Sequence, residues 1–332
     1  MNSNINMKKM YISLIFFLII FSIIALKLGN IEISVRDIFR IFLNKGVVDD
    51  SIRTIILNVR LPRIIMAVLI GMLLASSGTV VQTVFQNPLA DPYIIGIAAS
   101  ATLGAVIAYI LKLPNMMYGV LGFITSVIVA LIIFRLSKSK TRTDITTLLI
   151  VGIAISSFLG AFTSFSMYLI GQDSFRIVAW MMGYIGSASW ERVLILLVPL
   201  CIAVIYFYLK RYELDLLLSG DEEAHSMGID VPKLKKHILI VSSLIVGFSV
   251  AFTGMIGFVG LIAPHTIRLI IKSSSNTKLI PLATLGGGVF LLFCDTVGRM
   301  ILNPVEIPIG VVTSFFGAPF FLYLAMNGKR SG

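Results

Sequence analysis

Apolar runs about as long as a bilayer is thick recur from end to end of the chain. Short clusters of charge, proline, glycine and asparagine cut them apart. The runs lie at residues 11–28, 62–84, 93–111, 116–136, 144–170, 192–209, 237–256, 258–271, 279–301 and 307–326. A helix needs roughly 20 predominantly apolar residues to cross a bilayer. The pattern therefore predicts an all-α polytopic membrane protein of about ten transmembrane helices, with 258–271 the shortest, forming a single transmembrane domain over 1–332. Composition agrees: 57% of residues are hydrophobic and 13% charged, with a mean hydropathy of +0.98. Soluble domains carry about 25% charged residues. So little charge cannot coat a soluble exterior, which excludes a soluble enzyme, a nucleic-acid-binding module and a disordered tail.

Lys8 and Lys9 precede the first run and no A-x-A-like site follows it, so we read a retained span rather than a signal peptide. With those lysines inside, alternation puts both termini in the cytoplasm. Sixteen of the 27 Lys and Arg then fall on the cytoplasmic side and the remaining 11 outside. The bias has the expected sign, and most exceptions lie in residues 29–63, an outer segment that holds positive charge. The net charge of +11 is read as loop charge that orients helices and meets anionic lipid, with no nucleic-acid partner. Cys201 and Cys294 sit inside apolar runs and are read as packing residues.

Two interruptions stand out. Asn87-Pro88-Leu89-Ala90-Asp91-Pro92 stops the helices on both sides of it. Gly254, Gly257 and Gly260, with Pro264 beyond, break a run that would otherwise extend from 237 to 271. Irregular backbone at membrane depth is tolerated only where protein buries it or a cavity lies beside it. One break in each half suggests an inverted repeat in which spans two to five match seven to ten.

Candidate chemistry is sparse. The three histidines, His225, His237 and His265, form no H-E-x-x-H pair, and no G-x-x-x-x-G-K-[ST] loop is present. Ser76-Ser77-Gly78 reads as a small-residue helix contact. Acidic residues are nearly absent from the spans: Asp144 and Asp295 sit near ends, and Glu306 at the mouth of the last span. Ion-driven carriers place a carboxylate near mid-membrane, so the pattern implies energy supplied from outside the chain. No catalytic residue, metal site or cofactor is expected.

The loop over 213–232 is the most informative. Ser219 and Glu222 have capping-box spacing and Gly228 suits a helix stop. The spacing predicts a helix of about two turns, with Leu217, Ala224 and Met227 on one face and Glu222 and Glu223 on another. Both a capped connector and a helix shaped for a partner's groove fit this pattern. Arg60, Arg63 and Arg299 stand at outer helix ends. There they either snorkel to headgroups or offer a partner's carboxylates a docking surface.

Arg60-Leu61-Pro62-Arg63, Gly71 through Gly78, Gln82 and the Asn87–Pro92 break together resemble the FecCD-type permeases of ABC importers for ferric siderophores, haem and cobalamin. So do Ser219–Ala224 with Met227-Gly228, Gly254–His265 with Arg268, Asp295-Thr296 with Arg299, and Glu306–Thr313 through Gly317–Phe321. The motifs run in order from about residue 60 to 325. The resemblance implies the fold of an ABC type II importer permease, which makes and breaks no covalent bond. It implies a second permease copy, identical or a paralogue, with the translocation path between the two. It implies a cytoplasmic ATPase dimer docked on Ser219, Gly220, Asp221, Glu222, Glu223, Ala224, His225, Met227 and Gly228. An extracellular or periplasmic binding protein would dock on Arg60, Arg63 and Arg299. One departure lies at Gly183-Tyr184, where the family commonly has Gly-Ser.

His265 reads as a hydrogen-bonded structural histidine, since a lone imidazole makes a poor metal site. Gly310, Thr313 and Gly317 suit close helix packing, and the polar edge of their stripe is expected to face the path. The function expected is uptake of an iron(III)-siderophore across the cell membrane, with haem or cobalamin as alternative cargo. A secondary transporter is the rival from another class.

Overall fold

In the computed structural model of the chain, which describes residues 7–29, 31–44, 48–137 and 145–328, the described residues are helical with no strand. The elements are α1 Met7–Lys27, α2 Val35–Phe42, α3 Asp50–Thr54, a π-helical turn Ile55–Arg60, α4 Leu61–Val84, a 3₁₀ turn Pro92–Ile95, α5 Ile97–Ile110 and α6 Met116–Leu136. Then follow α7 Ile145–Ile170, a 3₁₀ turn Gly171–Ser174, α8 Phe175–Met181, α9 Trp190–Leu209, α10 Arg211–Leu217 and α11 Asp221–Ser226. The chain closes with α12 Val231–Thr253, α13 Val259–Ile271, α14 Asn276–Met300 and α15 Ile309–Gly328. Each of the ten expected spans is a helix. Among the described residues, seven stretches are long and apolar enough to cross a bilayer, and α5, α13 and α15 are shorter apolar helices. Asp144 and the charges at Lys138, Lys140, Arg142, Lys329 and Arg330 used in the orientation count lie outside the described residues.

Boundaries moved where local chemistry overrode hydropathy. α12 starts at Val231, six residues before its apolar run. Asp230 caps the Lys233 amide and Pro232 occupies the first turn, so the basic turn containing Lys235 and Lys236 is helical too. Pro62 lacks the amide that an unbroken α-helix needs from it. The helix widens into the π turn just before it, and the Leu61 amide reaches the Ile56 carbonyl.

α4 is the centre of the bundle. Its apolar window is 83% buried, against 11% for α1, because α14, α12, α13 and α9 surround it. A Cβ on Gly71 would land on the Gly287 carbonyl of α14, and one on Gly78 on the Gly260 carbonyl of α13. The small-residue reading of Ser76-Ser77-Gly78 matches this backbone approach. Ser76, Thr79 and Thr83 are buried and return their hydroxyls to the carbonyls of Leu73, Ala75 and Thr79, so α4 hides polar groups without orphaning them. Cys294 is buried, whereas Cys201 faces outward on α9, so only the first packs as expected.

The contacts sort the bundle into two ends. One carries α10 and α11, the last turn of α4 and the first turn of α14. The other carries α2, the π turn, the connector 301–308 and the start of α9, whose Trp190 Nε1 donates to the Leu57 carbonyl at 2.9 Å. In both halves a break precedes a short second helix: the Asn87–Pro92 turn before the 14-residue α5, and Gly254–Phe258 before the 13-residue α13.

Candidate functional site: a coupling elbow, a junction groove and a buried arginine cluster

The loop 213–232 folds as an elbow of two short helices rather than one. α10 buries Leu214 and Leu217 against the ends of α4 and α14, and α11 projects beyond it. The capping box is not what starts α11. Gly220, at φ 130°, is its N-cap and Ser219 makes no capping bond. The positive φ allows the tight change of direction between the helices, which moves the first helical residue one position past a serine cap. The stop is as expected. Gly228 takes φ 87°, its amide reaches the His225 carbonyl at 2.9 Å, and the Ile229 amide reaches that of Ala224 at 3.1 Å. This is a Schellman ending. Ala224 is the buried contact, while Met227 is 63% exposed and belongs with Glu222, Glu223 and His225 on the outward surface. The expected shared face of Leu217, Ala224 and Met227 is therefore not formed. Leu217 belongs to α10, and six residues make too little helix to bring Met227 round.

The elbow is tied to the bundle at three points. Lys235 of α12, its side chain 7% exposed, donates to Asp221 at 2.6 and 2.7 Å. Gln86, just past α4, donates to the Leu217 carbonyl at 2.7 Å and to Asp221 at 3.3 Å. Asp215 accepts from the Ser275 hydroxyl at 2.8 Å and from the Asn276 side chain at 3.0 Å, and also from the Asn276 amide. It thus caps α14. Asn276 in turn accepts from Thr83 of α4 at 3.0 Å. Asp221 of α11 is thus bonded to α12 and to Gln86 beside α4, and Asp215 of α10 to the start of α14, so two carboxylates tie the elbow to three helices.

The second break forms a junction with two other irregular segments. Gly254, at φ 70°, lets the chain turn where a Cβ would strike the Trp180 carbonyl. The Tyr184 amide donates to the Thr253 carbonyl at 2.7 Å, Ile309 to Gly183 at 3.2 Å and Gly310 to Met182 at 3.0 Å. The Ile256 amide donates to the Tyr93 hydroxyl at 3.4 Å, which links this break to the turn that follows the first. Gln82 donates to the Gly260 and Leu261 carbonyls and accepts from Arg268 at 3.1 Å. Backbone groups of the break and of the first turn of α13 are thus bonded from within the protein.

A groove of about 680 Å³ opens beside this junction, with Met181, Met182, Met255, Val311, Ser314 and Phe315 among its lining. Gly310 also lines it. Thr313 and Gly317 do not: Thr313 is fully buried and bonds to the Gly310 carbonyl, and a Cβ at Gly317 would meet the Phe258 ring. The stripe faces protein, and the groove wall is the neighbouring face of α15, through Val311, Ser314 and Phe315. Tyr184 is 51% exposed at the junction. His265 packs edge-on to Phe320, and neither ring nitrogen has a hydrogen-bond partner among the described residues. The hydrogen-bonded reading of this histidine is not met among the described residues.

At the opposite end from the elbow, the three arginines are held by their own chain. Arg60 is 6% exposed and donates to the carbonyls of Leu26, Lys27 and Ile31. Arg63 donates Nε and Nη2 to Asp295 at 3.1 and 2.9 Å, and Nη1 to Glu306 at 2.9 Å. Arg299, 7% exposed, lies 3.2 Å from Asp295, and its Nη2 has no partner among the described residues. The expected free docking surface is, in this structure, a compact cluster of two arginines and two carboxylates beside a separately bound Arg60. Asp295 and Glu306 pointed to it in the sequence only as charges near helix ends.

Asp91 occupies the first break, where its carboxylate accepts from the Tyr93 amide at 2.8 Å and caps the following turn. Burial, partly offset by that bond, pushes its carboxyl up to about 6.

Comparison with known proteins completes the picture. The model of the FecCD transport family matches residues 17–327. The chain is 37% identical to the hemin transport system permease protein HmuU of Yersinia pestis, with all of both chains covered. It is 38% identical to the cobalamin import system permease protein BtuC of Halobacterium salinarum, covering 83% of this chain and 74% of that one. A solved structure described as an inward-facing conformation of a metal-chelate type ABC transporter superposes with a TM-score of 0.84 at 28% identity, over 97% of this chain and 99% of the other. The chain belongs to the FecCD transport family, as a multi-pass membrane permease subunit of an ABC importer.

Proposed function

We propose that this permease carries a bulky iron chelate, a ferric siderophore, from an extracellular or periplasmic binding protein to the cytoplasm, driven by an ATPase dimer seated on α11. The observation that carries the coupling half of this reading is the wiring of the elbow. Asp221, Asp215 and Leu217 join it to α12, α14 and α4, the last being the most buried helix of the bundle. The cargo half rests on relatives that handle hemin and cobalamin and on one whose name includes an iron chelatin. It also rests on the groove wall of methionine and aliphatic side chains, which suits a large ligand with apolar flanks. The groove is open on one side, where a second copy of the chain would close the path.

The elbow end is the cytoplasmic one, and both termini lie there. The binding protein docks at the other end, over Arg60, Arg63 and Arg299. Because Glu306 already occupies Arg63, a partner's carboxylate engages the cluster by exchange with Glu306, whose side chain is 28% exposed.

The cargo is tested by the absorption spectrum and bound-ligand mass of the cognate binding protein purified from cells. A siderophore mass with a ferric charge-transfer band supports the reading. A porphyrin Soret band or a corrin spectrum overturns it in favour of haem or cobalamin.

A further inference from the structure

We infer that α2 is an interfacial anchor, lying in the membrane surface with phenylalanines in the acyl boundary and arginines on anionic lipid headgroups. The helix is firmly built. Ser34 caps it, its hydroxyl accepting from the Asp37 amide at 3.1 Å and donating to the Asp37 carboxylate at 2.7 Å. The Ile33 amide holds the Lys27 carbonyl of α1 at 3.1 Å, and Arg60 binds the carbonyls on both sides of the connection.

Around the helix, residues divide into three arcs at 3.6 per turn. Ile38, 4% exposed, and half-buried Ile41 face the protein. Val35, Phe39, Phe42 and Leu43 follow on the next arc and are 37%, 54%, 52% and 61% exposed. Arg36, Arg40 and Asp37 make up the third, with Arg40 within 3.4 Å of Asp37. Protein to one side, bare aromatics below and guanidinium groups above is the arrangement of a helix lying in an interface. A helix serving only as a connector would not leave two phenylalanines in water.

Position selects lipid over a protein partner. α2 packs chiefly on α1, whose own flank exposes Ile12, Ile15, Phe16, Phe17 and Ile19. It therefore sits on the perimeter of the bundle, beside the least buried of the described spanning helices. Lys27, exposed in the last turn of α1, and Trp190 at the same end mark the headgroup level. The positive charge of the segment 29–63 is accounted for in part by Arg36 and Arg40 meeting anionic headgroups.

The test uses the full chain in vesicles of phosphatidylcholine and phosphatidylglycerol, in a Cys201→Ser background. Nitroxide labels are placed at Phe39→Cys, Phe42→Cys and Arg36→Cys. The expected result is an oxygen-to-nickel-chelate accessibility ratio several-fold higher at 39 and 42 than at 36. Equal, water-like ratios at all three sites overturn the inference. So does protection at 39 and 42 that arises only when the binding protein is added, which would assign the face to that protein. Arg36→Gln with Arg40→Gln is expected to lower the enrichment of phosphatidylglycerol over phosphatidylcholine among co-purified lipids, and unchanged enrichment counts against the headgroup contact.

Discussion

Arg63 on α4 and Asp295 on α14, 232 positions apart in the chain, form a buried bidentate ion pair with side chains 12% and 2% exposed. The pair fastens the two central helices at the end away from the elbow. Removing one partner of a buried pair strands the other charge, at a cost of about 3–5 kcal/mol. Asp295→Ala is therefore expected to lower the thermal unfolding temperature of the detergent-solubilised protein strongly. Glu306→Gln, at the more exposed edge of the cluster, is expected to lower it far less. Similar small shifts for both would show that water screens the whole cluster.

On the proposed docking at Arg63, Glu306 is a competitor for the guanidinium. If the binding protein offers carboxylates to Arg63, Glu306→Gln removes the internal rival and tightens capture, most clearly at low ionic strength. Affinity measured against salt checks this. An unchanged or weaker complex at low salt would remove Arg63 from the docking surface.

Close backbone approaches at two glycines, Gly71 and Gly78, hold α4 to α14 and α13, and one helical glycine elsewhere gives a control. Gly71→Ala and Gly78→Ala each push a methyl into a carbonyl, and overpacking typically costs about 1–3 kcal/mol. Gly160→Ala on α7 has open space around it and is expected to be neutral or to stabilise by roughly 0.5–1 kcal/mol. Insertion yield and thermal unfolding of the three variants separate close packing from mere helix propensity. Tolerance of both α4 substitutions would contradict the described contact.

The ten helices were legible because bilayer thickness imposes a run length that survives every other detail of the sequence. The breaks were legible too, since Pro88, Pro92 and Gly254 act on their own backbone. What stayed hidden depends on partners distant in sequence. Arg63 reads as an exposed helix-end charge until α14 brings Asp295 beside it. Ser219 has the spacing of a cap, yet Gly220 takes that place because α10 needs a sharp exit. Thr313 and Gly317 carry the periodicity of a stripe, but which way the stripe faces is decided by Phe258. α2 escaped a search for membrane-length runs because it is eight residues long, although the Ser34 cap and the spacing of Val35, Phe39 and Phe42 mark it.

Asp91 supplies a pH signature. Its carboxyl is raised in the folded protein, so the folded state binds the proton more tightly than the unfolded one. Stability from this group is present at low pH and declines as pH rises from about 4 to about 6. Asp91→Asn keeps a capping oxygen and removes the titration. The variant is expected to lose less stability than the parent over that window, read from paired unfolding curves. Parallel pH profiles would show that Asp91 is solvated.

The outward surface of α11 is formed by Glu222, Glu223, His225 and Met227, none of which holds the elbow to the bundle by a side chain. Glu222→Lys with Glu223→Lys is expected to leave an inserted, folded permease that no longer co-purifies with its ATPase. Asp221→Asn is expected to retain the ATPase but to stimulate it poorly, since the link to Lys235 loses its charge. Retained co-purification of the double variant would remove α11 from the interface.

The most direct measurement is cargo accumulation in proteoliposomes, comparing this chain alone with the chain plus its ATPase, ATP and loaded binding protein. With no unpaired carboxylate at mid-span among the described residues to couple an ion, accumulation against a gradient is expected only in the complete system, and only with hydrolysable ATP. Uphill accumulation by this polypeptide alone, under an imposed proton or sodium gradient, would contradict the account.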